Sequence, residues 1–371
     1  LPQTNYHTSR EEAITMRAIV KTKPEPGAQL SEVEAPEAAP GEIIARMVAC
    51  SICGTDIHIW EWNHWAERRV RKLPIIFGHE FCGEVVRTAA DAKAVQVGDI
   101  ISAETHIVDN TCYQCRMGKK HVCRNVEILG VDRNGVFAEY VALPAANAWK
   151  TDRAIDPALA ALQEPLGNAI HTVLPTDAID DIRGSTVAVV GCGPIGLMAI
   201  AVLKKLGARK IVATELGSER VRVGLAREMG ADVVLDAMMG TDAIVSEVLE
   251  LTGGNGVDVA LEMSGALVGP EQVFRMLTPG GRVSILGLYD EPVCMDLNNF
   301  VTFKGATVYG ITGRRMFQTW ERTAEFLSDL DFREKIASII THKMPIRDID
   351  KAMELIHKKQ AGKVSLLPEW W

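Results

Sequence analysis

Over the first 150 residues, apolar positions fall into short runs that turn residues keep interrupting. Met16–Lys21, Glu42–Ala49, Phe81–Thr88 and Phe137–Pro144 read as strands, with Val97-Gly98-Asp99 as turn punctuation. From about Ile182 the texture changes. Thr186–Val190 is a continuous apolar β run, followed by a glycine turn and the helical stretch Ile195–Leu206. Lys210–Thr214, Val233–Leu235, Val257–Glu262, Arg282–Leu286 and Thr307–Ile311 follow as strands, with helices at Ser218–Met229 and Ala243–Leu251. Strands alternating with helices predict an α/β fold with a doubly wound parallel sheet. Met316–Ser328 and Ile349–His357 have helical periodicity, and the strand-like run Gly362–Leu367 is expected to return to the first domain. The polar stretch Leu1–Thr15 reads as an extension, with folded sequence from Met16.

Composition narrows this picture without redrawing it. A chain of 371 residues is long enough for two domains with separate cores. Its net charge of -8 argues against nucleic acid or an anionic membrane as a partner. No apolar run is long enough to span a bilayer, and the first fifteen residues lack the apolar core of a signal peptide. A cytoplasmic protein acting on a small molecule is the expectation. The eight cysteines gather as Cys50, Cys53 and Cys82, then Cys112, Cys115 and Cys123, with Cys192 and Cys294 apart. Local clustering in so large a chain favours metal binding over a disulfide scaffold.

The glycine turn, Gly191-Cys192-Gly193-Pro194-Ile195-Gly196, follows an apolar strand and opens a helix. Its glycines suit a tight turn, close approach of a pyrophosphate and close helix–strand contact. The helix N-terminus adds unpaired N–H groups for the phosphates. Glu215 ends the next strand about twenty residues on, where a carboxylate binds both adenosine ribose hydroxyls and repels a 2′-phosphate. That predicts a Rossmann domain for NAD rather than NADP. Arg220 is ambiguous: it serves the cofactor, stacks on adenine or is a surface charge. Leu286, Gly287, Ile311 and Thr312, ending later strand runs, complete the candidate cofactor contacts.

Two groups of metal-ligand residues stand out. Cys53, His79, Glu80 and the distant Glu164 offer a thiolate, an imidazole and carboxylates, a mixture that suits catalytic zinc. Cys53 or His79 alone reads more simply as a buried core residue; together with a cofactor domain they read as ligands. Cys112, Cys115 and Cys123 have the spacing of a structural zinc loop, with Asp109 as the fourth ligand. The competing readings there are reduced thiols without metal, or a Cys112–Cys115 disulfide.

Together these residues resemble the zinc-dependent medium-chain dehydrogenases, and within them the threonine-oxidising members. The likeness runs from Met16 over nearly the whole chain. It includes Ser51–Trp60, Glu61-Trp62-Asn63-His64-Trp65, Phe77-Gly78-His79-Glu80, Glu104-Thr105-His106-Ile107, Gln163–Ala169, Tyr309–Arg314 and Ile340-Thr341-His342-Lys343. The resemblance implies a GroES-like β domain carrying zinc (16–165 and 313–371) interrupted by a Rossmann domain (166–312), assembled as a homotetramer. It implies zinc on Cys53, His79 and Glu164, with Glu80 exchanging against water. Asp109 departs from the family, which usually has a cysteine there.

The implied reaction oxidises L-threonine at C3 with NAD to 2-amino-3-oxobutanoate and NADH. Zinc lowers the pKa of the substrate hydroxyl. Thr55 passes the proton to the nicotinamide ribose, and His58 relays it to solvent, a task for which imidazole is suited. His106 and Glu104 are expected near the substrate. Arg314 is left between cofactor, substrate carboxylate and surface charge, and Trp60, Trp62 and Trp65 between pocket cap and core. The rival readings are a polyol or 2,3-butanediol-type dehydrogenase and a non-catalytic dinucleotide-binding protein.

Overall fold

A computed structural model describes residues 14–370. Of the expected N-terminal extension, residues 1–13 lie outside this range. The first strand, Thr15–Lys21, starts one residue before the expected boundary, because Thr15 already pairs with Glu34 of Gln29–Glu34.

Residues 186–310 form a six-stranded sheet, parallel throughout. Its spatial order is Val233–Asp236, Lys210–Glu215, Thr186–Val190, Val257–Glu262, Leu277–Ile285, Thr307–Gly310. Thr186–Val190 is buried at every position, as a strand covered on both faces must be. Strand order reverses beside it, and ligands of doubly wound sheets bind at such a reversal, outside the carboxyl ends of the strands. Helices Pro194–Lys205, Arg220–Met229, Thr241–Leu251 and Gly269–Met276 cover the sheet. Apolar clusters lie on both faces, centred on Val187 and Val189 on one side and Ala188 and Val190 on the other.

The other sheet is built around Glu42–Ser51. It pairs antiparallel with Glu80–Thr88, Tyr140–Pro144 and Lys363–Leu367. Two registers position the site: Ser51 faces Glu80, and Ser365 faces Ser51. The chain leaving the central strand therefore meets the start of Glu80–Thr88 and the C-terminal strand at one corner.

Among the helices absent from the pattern reading, three lie near the site. Gly54–Glu61 and His64–Arg69 are too short for a periodic signal. Gln163–Val173 carries Pro165 and Gly167 and is poor in helix formers, but ten of its eleven residues are buried. Tertiary burial, not propensity, makes that helix.

Candidate active site

Cys53, His79 and Glu80 come together at the corner those registers create. Their ligand atoms lie within 4.8 Å of one another. Cys53 is the N-cap of Gly54–Glu61, and its backbone N–H donates to Asp56 Oδ2 at 2.8 Å. His79 follows Gly78, whose φ of +87° turns the chain where any Cβ would run into the Phe137 ring. Asp56 Oδ1 lies 3.5 Å from His79 Nδ1, and both atoms are buried without a hydrogen-bond partner among the described residues. Burial disfavours the charged imidazole of His79. Asp56 and Cys53 beside it outweigh that effect and hold its pKa well above the usual value. A thiolate, an imidazole and a carboxylate around two unsatisfied buried atoms fit a zinc ion, with Asp56 as the outer partner of the histidine.

Glu80 is fully buried and shared. Its oxygens take Lys363 Nζ at 2.8 and 2.6 Å and a short bond from Ser51 Oγ. Glu164, expected as the third ligand, stands outside the three-residue cluster. Its Oε1 accepts from Arg314 Nη1 and, at 3.3 Å, from Thr105 Oγ1.

Arg314 resolves differently from every alternative the sequence left open. It is buried and ion-paired to both Glu104 and Glu164. Glu104 is spent in the same network. It accepts Arg314 Nε at 2.9 Å, Arg314 Nη2, Trp320 Nε1 at 2.8 Å and the His106 N–H at 2.9 Å. Both carboxylate oxygens of Glu104 therefore meet internal donors. His106 keeps a buried Nδ1 without a partner among the described residues. Burial, reinforced by Arg314, lowers its pKa to about 4, so its ring is neutral near pH 7. Lys363 and the Arg314–Glu104 pair escape a sequence reading because their partners lie hundreds of residues away along the chain.

The second cluster also closes. Asp109, Cys112, Cys115 and Cys123 offer ligand atoms within 4.8 Å of one another. Cys112 Sγ lies 3.5 Å from Cys115 Sγ and 3.7 Å from Cys123 Sγ, and all three thiols are free, which removes the disulfide reading. Asp109 accepts the N–H groups of Thr111 at 2.8 Å and Cys112 at 3.0 Å, and is bonded by Asn125. Those donors hold its carboxyl well below the usual range, so it is an anion ready for a metal. This set too fits zinc, through three thiolates and a carboxylate.

The glycine turn has the shape its spacing predicts. A Cβ on Gly196 would run into Gly191 O, whereas Gly193 faces open space. Tight packing therefore falls on the outer glycines and ligand approach on the middle one. Glu215 accepts the N–H of Cys192 at 3.0 Å and of Leu216 at 2.8 Å, tying the carboxylate to the turn. Pro194 and Ile195 open the helix behind it. Leu286, Gly287, Ile311 and Thr312 follow the strands Leu277–Ile285 and Thr307–Gly310 at the same carboxyl edge. Arg220 is exposed; Arg222, 3.6 Å from the buried Glu219, is the guanidinium that acts electrostatically on Cys192 in the turn.

Residues 39–153 match the family described as "Alcohol dehydrogenase GroES-like domain", and residues 194–329 the one described as "Zinc-binding dehydrogenase". The chain belongs to the zinc-binding dehydrogenases. It is 47% identical over 350 residues to an L-threonine 3-dehydrogenase of Pyrococcus furiosus, covering 94% of this chain and 97% of that protein. With the L-threonine 3-dehydrogenase of Bacillus subtilis it shares 44% identity over 355 residues, 95% of this chain and 99% of that one. Among solved structures, a 2R,3R-butanediol dehydrogenase from Bacillus subtilis superposes with a TM-score of 0.81 at 28% identity, covering 95% and 100% of the two chains. The cofactors of this chain are zinc and a nicotinamide dinucleotide. No helix among the described residues is long and apolar enough to cross a membrane.

Proposed function

We propose that this dehydrogenase oxidises L-threonine at C3, passing a hydride to the nicotinamide C4 of NAD and a proton to solvent, with 2-amino-3-oxobutanoate and NADH as products. The near-full-length identity to threonine dehydrogenases supports the substrate, and the Cys53–His79–Glu80 cluster supports the chemistry. Zinc, when bound by these residues, supplies Lewis-acid polarisation of the hydroxyl. Glu164 stands by, within electrostatic reach of Glu80. Thr55, in the first turn of Gly54–Glu61, takes the hydroxyl proton at Oγ1 and hands it to the nicotinamide ribose. His58, one turn further along the same helix and half-buried, carries it outward. The neutral His106 faces the substrate. Glu215 binds the adenosine ribose, and Gly193 leaves room for the pyrophosphate.

We assign residues 16–165 and 313–371 to the zinc-carrying domain and 166–312 to the cofactor domain, in a cytoplasmic homotetramer. The gathering of Cys112, Cys115 and Cys123 into a metal-type cluster supports a reducing compartment.

An NADH assay over L-threonine, 2,3-butanediol and sorbitol tests the substrate. Threonine is expected to turn over fastest; a diol that works where threonine fails would overturn this reading in favour of a secondary-alcohol dehydrogenase. Replacing Cys53→Ser removes the thiolate and is expected to abolish turnover and to lower the zinc content. NAD binding that ignores chelators, with no alcohol oxidised, would point to a non-catalytic protein.

A further inference from the structure

The turn after the Cys53 helix holds a contact that the relay as described does not use. Gly54–Glu61 ends at Trp62, whose left-handed conformation (φ 53°, ψ 48°) folds Asn63 back over the last turn. The Asn63 N–H then donates to His58 O at 3.3 Å. Asn63 is also the N-cap of the next helix, His64–Arg69, and its Oδ1 accepts the Ala66 N–H at 3.3 Å. That bond settles which end of the amide points where. With the oxygen committed to Ala66, the NH2 group faces the imidazole, and Nδ2 lies 2.5 Å from His58 Nδ1.

An amide NH2 group only donates, so His58 Nδ1 must be the accepting, unprotonated nitrogen. In the neutral ring the proton therefore sits on Nε2. Trp65, from the helix that Asn63 caps, packs beside the ring, with centroids 5.5 Å apart and a 33° tilt. The turn itself is pinned from below by Lys21. Its buried Nζ donates to Gly27 O at 2.8 Å and Trp60 O at 2.9 Å, and lies 5.5 Å from the Trp62 ring centroid.

We infer that Asn63 is a positioning residue that fixes His58 as its Nε2–H tautomer. This rests on the proposed role of His58 in proton relay and deepens it. A proton arriving on the ring can settle only at Nδ1, where it would face a second donor. Uptake at Nδ1 displaces the Asn63 N–H as the Nε2 proton leaves. The ring regains the Asn63 bond only when its remaining proton returns to Nε2, so Asn63 disfavours a proton stored at Nδ1. An aspartate at the same position caps a helix as well as asparagine does, but its carboxylate accepts where the amide donates. It would draw a proton onto Nδ1 and hold it there.

The test uses the full-length, zinc-loaded enzyme with NAD, labelled with nitrogen-15 at histidine. His58→Gln identifies the His58 ring signals by their loss. In the unsubstituted enzyme Nδ1 is expected in the unprotonated range and Nε2 in the protonated one. In Asn63→Asp, Nδ1 is expected to move to the protonated range, and kcat to fall about tenfold or more with KM for NAD unchanged. Asn63→Ser keeps the cap but loses the donor, and is expected to show mixed tautomers. A protonated Nδ1 in the unsubstituted enzyme, or an Nδ1 signal unmoved in Asn63→Asp with an unchanged melting temperature, would overturn the inference. Failure of the relay reading is separate: it shows as undiminished kcat in His58→Gln, whatever the tautomer.

Discussion

His106 and His171 show how single residues in this fold depart from their ordinary chemistry. Burial lowers the pKa of each to about 4. His171 Nδ1 donates to Gly313 O at 2.8 Å, and its ring meets His121 edge-on with centroids 5.3 Å apart. The unfolded chain takes up these protons near pH 6.5, whereas the folded chain resists them until about pH 4. Between those values the unfolded state binds more protons, so stability rises with pH and is lost as pH falls. The loss is on the order of 3 kcal/mol per group once both limits are passed. Urea unfolding at pH 7 and pH 4.5 is expected to show it. His171→Asn, which keeps a donor for Gly313 O, should flatten the dependence; an unchanged pH slope would show that this histidine titrates normally. Cys53 and His79 were legible as a pair only once the cofactor turn downstream was read with them. The fate of Glu104 was not, because nothing nearby in sequence announces Arg314.

At the scale of elements, the glycine turn is the clearest case of sequence spacing dictating geometry. Gly191 sits at φ +98° against Ser264, and Gly196 packs on Gly191 O. Gly196→Ala is expected to push helix from strand, costing about 1–3 kcal/mol, and to weaken NAD binding. Gly193→Ala meets open space, so it should leave the melting temperature in place while raising the Kd for NAD. Cofactor fluorescence and thermal melting on the two variants separate fold from ligand approach. Equal effects on stability would contradict this division of labour. Periodicity also marked Thr186–Val190, Val257–Glu262 and Ile349–His357 at their observed bounds. It missed Gln163–Val173, since Pro165 and Gly167 mask a helix that exists because its surroundings bury it.

For the whole molecule, two metal clusters in one chain make a countable claim. Zinc analysis is expected to return two ions per chain, and one after Cys115→Ser, with threonine oxidation retained in the variant but a lower melting temperature. A single zinc in the unsubstituted enzyme, unaffected by Cys115→Ser, would show that Asp109 does not complete the second site. The catalytic cluster depends on strands far apart in sequence: the Ser51–Glu80 and Ser365–Ser51 registers bring residues 53, 79, 80 and 363 to one corner. The sequence by itself determined the parallel sheet, the cofactor turn and the residue types of both metal sites, because each rests on short-range periodicity or spacing. Only the tertiary structure decided that Glu80 joins Cys53 and His79 while Arg314 holds Glu164, and that Asn63 addresses His58. Those outcomes depend on which buried charges and donors meet, and burial is a property of the folded whole.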